Sequence, residues 1–169
     1  MTFQLLYCFF VIEHGRRKVL HFNVTRHPCA EWVVQQLREA FPEAGPYRYA
    51  ILDRDAKFDA RVITFLNATG LKPKRTSIQS PWQNGIAERW IGSCRREILD
   101  HVIALDERHL LRLVRDYVNY HHEDRTHDSL AKDTPNRRPA EQKPGANATV
   151  ISMPRLGGLH HRYSWSKAA

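Results

Sequence analysis

The sequence predicts a single α/β domain, in which a mixed β-sheet is flanked by helices and followed by a short C-terminal tail. Three observations predict this class: two apolar, β-branched segments around a Gly-containing turn, a short buried strand near residue 50, and amphipathic helical patterns between and after the strands. A hairpin gives antiparallel pairs and crossovers give parallel pairs, so the sheet should be mixed. The chain of 169 residues is long enough to form one such core.

The first part of the chain predicts a hairpin followed by a helix. Residues 3–12 and 18–24 are rich in apolar and β-branched side chains and flank a polar turn, which is typical of two antiparallel strands. Apolar residues then recur at helical spacing over residues 29–41. Thr25 is a candidate cap for this helix, and Pro28 suits its first turn.

The middle of the chain predicts a strand, a helix and a second strand. Residues 47–52 form a short apolar run, and residues 61–68 form a helix that ends near Gly70. Residues 72–78 are basic and extended. Residues 79–85, Gln-Ser-Pro-Trp-Gln-Asn-Gly, predict a loop because Pro, Asn and Gly interrupt regular structure.

Two amphipathic helices and a tail complete the prediction. Apolar residues at helical spacing indicate helices over residues 86–99 and 107–121. We predict a catalytic-type core over residues 1–135 and a polar, proline-containing linker over 136–148. The tail, residues 149–169, should form a small β-hairpin around its Gly-Gly pair.

Composition narrows the functional classes. The net charge is +8, from 26 Lys and Arg against 18 Asp and Glu, which favours a polyanionic partner such as DNA. The longest apolar stretch, residues 5–12, is far shorter than the roughly 20 residues of a membrane span. The three cysteines lack Cys-x-x-Cys spacing, and the first residues lack the pattern of a secretory signal. We therefore expect reduced thiols and a cytoplasmic location.

Two carboxylates occupy positions that are typical of functional groups. Asp53 follows the strand at residues 47–52, and functional groups of α/β sheets collect at the carboxyl ends of strands. Glu88 lies in the first turn of the next long helix, with Arg95 two turns further along the same face. This set suits a hard divalent cation and a phosphodiester. It equally suits structural roles as a turn cap, a favourable helix N-terminal charge and a solvated arginine.

The surrounding motifs are more specific. Asp53 begins Asp-Arg-Asp-Ala-Lys-Phe, and 34 residues separate it from Glu88, which ends Pro-Trp-Gln-Asn-Gly-Ile-Ala-Glu. Over about residues 3–140 this arrangement resembles the integrase catalytic core of retroviral integrases and bacterial insertion-sequence transposases. Arg95 falls where those transposases often carry a basic residue.

This resemblance implies an RNase H-like fold and metal-dependent DNA cleavage and strand transfer. Asp53 would hold one of two Mg²⁺ or Mn²⁺ ions and Glu88 the other. Asp55 competes for the first role, but with Asp53 the aromatic Phe58 falls where the family has one. Such recombinases generally act as multimers on paired DNA ends, so we expect DNA and further copies of the chain as partners.

The sequence departs from the family at the first of its three catalytic carboxylates. In related transposases this Asp lies on a strand ahead of the part that resembles residues 3–12, whereas no Asp precedes Asp53 here. Glu13 lies beside a turn and is a poor substitute. We expect impaired catalysis, either because the natural start lies upstream or because the chain is a truncated remnant. The alternatives are an inactive DNA-binding or dimerising remnant and an RNase H-like nuclease of another kind.

A set of polar, basic and aromatic residues around the second motif is predicted to contact DNA. The tryptophan could stack on a base or pack within the protein, and the basic cluster could contact phosphates or protect a sheet edge. The predicted DNA-binding residues are Arg95, Asn84, Lys72, Lys74, Arg75 and Trp82.

Overall fold

The computed structural model describes residues 5–43 and 45–166. The strands in these residues are β1 (Tyr7–Ile12), β2 (Val19–Thr25), β3 (Tyr49–Leu52), β4 (Lys72–Arg75), β5 (Val150–Arg155) and β6 (His160–Trp165). The helices are α1 (Ala30–Ala40), α2 (Ala60–Ala68), α3 (Gly85–Glu97) and α4 (Glu107–Glu123). The strand predicted over residues 3–12 begins only at residue 7, and residues 3 and 4 of that prediction lie outside the described residues.

The strands pair in twos. β1 and β2 are antiparallel, with an irregularity in register between Val11 and Ile12. β3 and β4 are parallel and are connected through α2, while β5 and β6 form an antiparallel hairpin. The predicted α/β class with both kinds of pairing is confirmed. Among the described residues the pairs β1–β2 and β3–β4 do not hydrogen-bond to each other, so the strands form small two-stranded sheets.

Helix α2 begins and ends as its sequence indicates. The Asp59 side chain precedes the helix and accepts hydrogen bonds from the backbone N–H groups of Arg61 and Val62, which have no partner within the first turn. Gly70 follows the helix with φ of +81°, a conformation that glycine adopts without steric cost. The short helix therefore has defined ends that place β3 and β4 side by side.

The predicted cap of α1 is wrong. The residue that precedes the helix is Cys29, and no side chain caps it. Thr25 instead ends β2, where its hydroxyl accepts a hydrogen bond from the N–H of His27 at 3.1 Å. Pro28 therefore lies before the helix and not in its first turn.

The segment predicted as a loop is largely helical. Pro81–Asn84 forms a 3₁₀ turn that continues directly into α3. Proline fixes φ near the helical value and lacks an N–H that the first turn would leave unpaired, so it can start a helix as well as break one. The consequence is that Asn84 and Glu88 lie on one continuous rigid element.

Two apolar clusters lie on the two faces of the β1–β2 hairpin. The first packs the hairpin against α3 and α4 and includes the fully buried Tyr117. The second packs α1 and α2 against β3. Alternate residues of β1 contribute to each: Phe10 and Ile12 to the first, Phe9 and Val11 to the second. β1 is therefore the layer between the two clusters.

Histidines attach α4 to the hairpin. The N–H of Val19 donates to Nε2 of His122 at 2.9 Å, and Nε2 of His121 donates to the carbonyl of Arg17 at the same distance. Burial is the main cause that lowers the pKa of His121 to about 3. The ring of His127 lies 4.7 Å from that of His121, and burial lowers its pKa to about 4. Both rings are therefore neutral in the folded protein near neutral pH.

We expect the protein to lose stability as the pH falls from about 6.5 towards 4. The folded-state pKa values of His121 and His127 lie below the ordinary value of 6.5, so the unfolded chain binds more protons in this range. Each such proton changes the free energy of unfolding by up to about 1.4 kcal/mol per pH unit. Urea unfolding at several pH values measures this slope. His127→Gln should make it shallower, whereas replacement of the exposed His27 should not, and equal slopes for all three proteins would contradict the assignment.

The β5–β6 hairpin packs against the end of α4 through one buried carboxylate. Asp124 is only 3% exposed and faces three arginines, with nitrogen–oxygen distances of 2.7 Å to Arg155, 3.5 Å to Arg162 and 3.6 Å to Arg138. The ring of His160 stacks on Tyr120 of α4, with 4.7 Å between centroids. These contacts hold both strands of the tail against the core.

None of the helices in the described residues has the length and apolar character needed to cross a bilayer.

Candidate active-site cleft

A cleft of about 680 Å³ lies between β1 and β3. Both strands line it, with α1 on one side and α3 on the other. Asp53, Asn84 and Glu88 all line this β1–β3 cleft, although they come from two separate motifs. The structure thus brings the two predicted carboxylates and the motif asparagine to one concave site.

β1 and β3 run in opposite directions along the cleft. The ammonium of Lys57, which follows β3, lies 5.1 Å from the ring centre of Tyr7 at the start of β1. At the other end, Glu13 follows β1 and lies close enough to Tyr47, ahead of β3, that its charge adds to the effect of burial in raising the pKa of that phenol. Asp53 therefore lies at the end of the cleft where β1 begins.

Asp53 and Asp55 differ in the number of hydrogen bonds and ion pairs that their carboxylates make with the rest of the protein. Lys57 donates from its ammonium to both carboxylate oxygens of Asp55, at 2.9 and 3.1 Å, and from its N–H at 2.9 Å. Partial burial raises the pKa of Asp55, but these hydrogen bonds lower it overall. Asp53 accepts one local bond from the N–H of Asp55 at 3.1 Å and forms no ion pair among the described residues. Asp53 is therefore the carboxylate that is available to an external cation.

Glu88 is exposed in the first turn of α3 and has no hydrogen bond or ion pair within the part of the chain that the structure describes. Ile91, one turn later, also lines the cleft. Helical periodicity places Arg95 on the same face a further turn away, where it is exposed and lies beyond the cleft lining. The positive N-terminal end of the helix stabilises the negative charge of Glu88.

The turn before α3 is held by Gln83, which sequence reasoning missed. Its side-chain oxygen accepts from the N–H of Ser77 at 2.6 Å, and its amide nitrogen donates to the Ser77 hydroxyl at 3.2 Å. This contact ties the Pro81–Asn84 turn to the segment that follows β4. A polar amide inside the motif was the available signal. Trp82 is 74% exposed, so the packing role considered for it is wrong.

The predicted basic cluster lies along an exposed strand next to this site. Lys72, Lys74 and Arg75 are all exposed on β4. The ammonium of Lys74 lies 5.8 Å from the ring centre of Tyr49, and Arg75 donates to the carbonyl of Phe58. These contacts orient two of the three cations along the sheet edge near Asp53.

Two further cations near the site were not predicted. Lys57 pairs with Asp55, as described above, and the Nε of Arg54 donates to the carbonyl of Thr76 at 2.8 Å. Arg54 thereby joins the end of β3 to the end of β4. The sequence signal was the alternation of acidic and basic residues from Asp53 to Lys57, which is typical of local ion pairs.

The carboxylates on the cleft fit one hard cation better than two. Mg²⁺ is often bound through one or two carboxylates, with water and phosphate oxygens completing its shell, so Asp53 and Glu88 suit one such ion. In residues 5–43 and 45–166, no group of three or more His, Cys, Asp or Glu side chains is placed to hold a metal ion. A second ion would need oxygen ligands from elsewhere, such as the substrate.

A family model matches part of the chain. Residues 69–135 match the family model described as integrase core domain. This segment contains Glu88, α3 and α4 but not Asp53. A comparison with curated proteins gives no match.

A solved structure shares the fold over almost the whole chain. It is a chain of the cryo-EM structure of the simian T-cell lymphotropic virus intasome in complex with PP2A regulatory subunit B56 gamma. The TM-score is 0.62 and the sequence identity 13%, over 97% of this chain and 62% of that chain. The protein thus spans less than two thirds of the chain that it resembles. The predicted α/β fold is confirmed, and it is shared with that chain of the intasome structure.

Proposed function

Starting from an integrase core domain at residues 69–135, we propose that this chain acts on DNA as an integrase- or transposase-like strand-transfer protein of the insertion-sequence type. The observation that carries the proposal is the presence of Asp53 and Glu88 on one cleft, although 34 residues separate them in the sequence. Asn84 on the same cleft supports it further. Each of these residues lies on or beside a rigid element, as a site for phosphodiester chemistry requires.

The chain's own residues would bind and orient the DNA backbone. A bound Mg²⁺ or Mn²⁺ would stabilise negative charge on the phosphodiester and on the attacking oxygen. Asp53, at the end of β3, and Glu88, in the first turn of α3, would hold that ion from two elements. Lys57 neutralises Asp55, so one less free negative charge opposes an approaching phosphate. The positive N-terminal end of the α3 dipole would favour the phosphate further.

We propose that catalysis by this chain is weak, because only two carboxylates of the cleft, Asp53 and Glu88, match the three that the family resemblance implies. Two like-charged ions would have less negative charge to hold them together. A DNA-binding or dimerising protein without catalysis is the second candidate, and the shortage of carboxylate ligands favours it. The similar solved chain belongs to an intasome, and by that likeness we propose that this protein forms homo-oligomers on DNA.

DNA binding should depend on the basic cluster of β4. We expect the protein to bind duplex DNA without sequence preference and with an affinity that falls as salt rises. Changing Lys72, Lys74 and Arg75 together to Gln should reduce the slope of log K against log salt by about 2 to 3, because each phosphate contact contributes about 0.9. Fluorescence anisotropy with a labelled duplex over a salt series measures the slope.

A matched control removes the same charge from another face. Arg108, Arg112 and Arg115 are exposed on α4 and do not line the cleft. Their triple Gln variant should keep most of the wild-type slope. Equal losses from the two triple variants would show binding by overall charge, and would overturn the placement of DNA along β4.

A further inference from the structure

The β5–β6 hairpin has an inner face on the core and an outer face that points away from it. Arg155 of β5 and Arg162 of β6 lie on the inner face, where both approach the buried Asp124 carboxylate. Successive side chains of a strand point to opposite faces, so the residues on either side of Arg162 lie on the outer face. The contacts that attach the tail to the core therefore leave this outer face open.

The outer face of β6 carries three aromatic rings. They belong to His161, Tyr163 and Trp165, which occupy every second position of the strand, and we call them the aromatic row. Tyr163 is 60% exposed, and Val150, which is opposite Trp165 in the strand pairing, is 59% exposed. Apolar and aromatic side chains that cluster on a surface mark binding sites, whereas single exposed ones do not. The aromatic row is therefore a candidate binding surface.

The charge around the aromatic row suits a polyanion. Residues 136–166 contain five Lys and Arg side chains but only one acidic residue, Glu141. That carboxylate accepts a hydrogen bond from Arg138 at 3.0 Å and is thereby neutralised. The ammonium of Lys143 lies 5.6 Å from the ring centre of Trp165, which places a cation beside the row. A phosphate backbone on this face would therefore meet net positive charge.

We propose that the aromatic row binds single-stranded DNA by stacking bases on its rings. Proteins that bind single strands without sequence preference combine aromatic rings, on which successive bases stack, with cations that contact the backbone. The ring centres of His161 and Tyr163 are 6.4 Å apart, close to twice the roughly 3.4 Å rise of one nucleotide, so each ring can serve a separate base. This site is separate from the β1–β3 cleft, and only the choice of DNA over RNA rests on the proposed function.

A single strand fits the aromatic row better than a duplex or a protein does. The bases of a duplex stack on one another and present only their edges in the grooves, so their faces are not available to the rings. Stacking them on the protein would first require unstacking them, which costs free energy. A protein partner with an apolar surface would cover the ammonium of Lys143 without giving it a counter-charge, which also costs free energy.

The test is fluorescence anisotropy of a labelled oligothymidylate of about 12 nucleotides titrated with the full chain. Tyr163→Ala should weaken binding by about tenfold or more, the loss expected for one stacked base. Tyr163→Phe keeps the ring and should bind as tightly as the wild type. Because stacking is not an ionic contact, Tyr163→Ala should leave the slope of log affinity against log salt unchanged.

Two further variants separate stacking from the stability of the hairpin. Tyr163→Val keeps a residue that favours strands but removes the ring, so it should lose as much affinity as Tyr163→Ala. Leu159→Ala is the matched control, because Leu159 is 44% exposed on the same hairpin and has no ring. It should bind the oligothymidylate as the wild type does. Hydrogen exchange in β5 and β6 should be the same in all of these proteins.

Several outcomes would overturn the proposal. The first is wild-type affinity for the oligothymidylate in both Tyr163→Ala and Tyr163→Val. An equal loss of affinity for a duplex of the same length would show that the row does not select single strands, and tighter binding of an oligouridylate RNA would contradict the choice of DNA. Self-association without DNA that Tyr163→Ala abolishes would make the row an interface between copies of the chain. No readout uses a metal or DNA nicking, so a failure here is distinct from a failure at the cleft.

Discussion

Changing Asp53 to Asn, or Glu88 to Gln, should weaken Mn²⁺ binding to the protein–DNA complex by about 100-fold or more. Each change removes one of the two carboxylates assigned to the ion, and the remaining one would hold it much more weakly. Any residual Mg²⁺-dependent nicking of DNA should disappear in both variants, because the cation would stabilise the charge that develops at the phosphate. Titration followed by electron paramagnetic resonance of free Mn²⁺ measures the affinity, and a supercoiled plasmid reports nicking.

Asp55→Asn is the discriminating control for this assignment. Asp55 is engaged by Lys57, so its loss should leave Mn²⁺ affinity close to that of the wild type. If Asp55→Asn abolished binding and Asp53→Asn did not, the roles of the two aspartates would be reversed. If none of the proteins bound Mn²⁺ while all bound DNA with the same salt dependence, the inactive DNA-binding function would replace the catalytic one.

Changing Asp124 to Ala should lower the free energy of unfolding by about 3 kcal/mol, the lower end of the range for breaking a buried ion pair. The carboxylate is 3% exposed, and its loss would leave Arg155 without an ion-pair partner among the described residues and Arg138 and Arg162 with Glu141 alone. The exposure of these arginines, between 22% and 36%, places the effect at the lower end. Urea denaturation followed by tryptophan fluorescence measures it, with faster hydrogen exchange expected first in β5 and β6.

The matched control for this prediction is Asp128→Ala. Asp128 also pairs with a basic residue, Lys132, but its side chain is 85% exposed. Exposed pairs contribute little, so this variant should unfold almost as the wild type does. An equally small effect at both positions would mean that the tail is held by its apolar contacts and not by Asp124.

The elements that sequence reasoning located are those with local signals. The first hairpin follows from two β-branched runs around Gly15, and α4 follows from apolar residues at helical spacing. The Pro81–Asn84 turn was assigned wrongly because the same residue types start and stop helices. The separation of β1 from β3 could not be predicted, because pairing between strands depends on long-range geometry that alternation along one strand does not encode.

The same distinction applies to the candidate site. The positions of Asp53 and Glu88 at element ends could be predicted from motif spacing, and the structure places both on one cleft. Gln83 could not be assigned, because its partner Ser77 is recognisable only once the turn has formed. The arginines around Asp124 were missed because they are scattered over residues 138–162, and no local pattern connects them.

β1 contributes to an apolar cluster on each of its two faces, and this has a consequence for how its alignment with β2 is specified. In a strand with one wet face, a slip of one residue moves apolar side chains into water and is strongly disfavoured. In β1, Phe9 and Val11 on one face alternate with Phe10 and Ile12 on the other, so the same slip would exchange one apolar face for another. The register of β1 with β2 must then be set by side-chain shape and by the turn. Two features fix the register of this hairpin. One is the irregularity between Val11 and Ile12, and the other is the hydrogen bond from the N–H of Glu13 to the carbonyl of Lys18 at 2.9 Å.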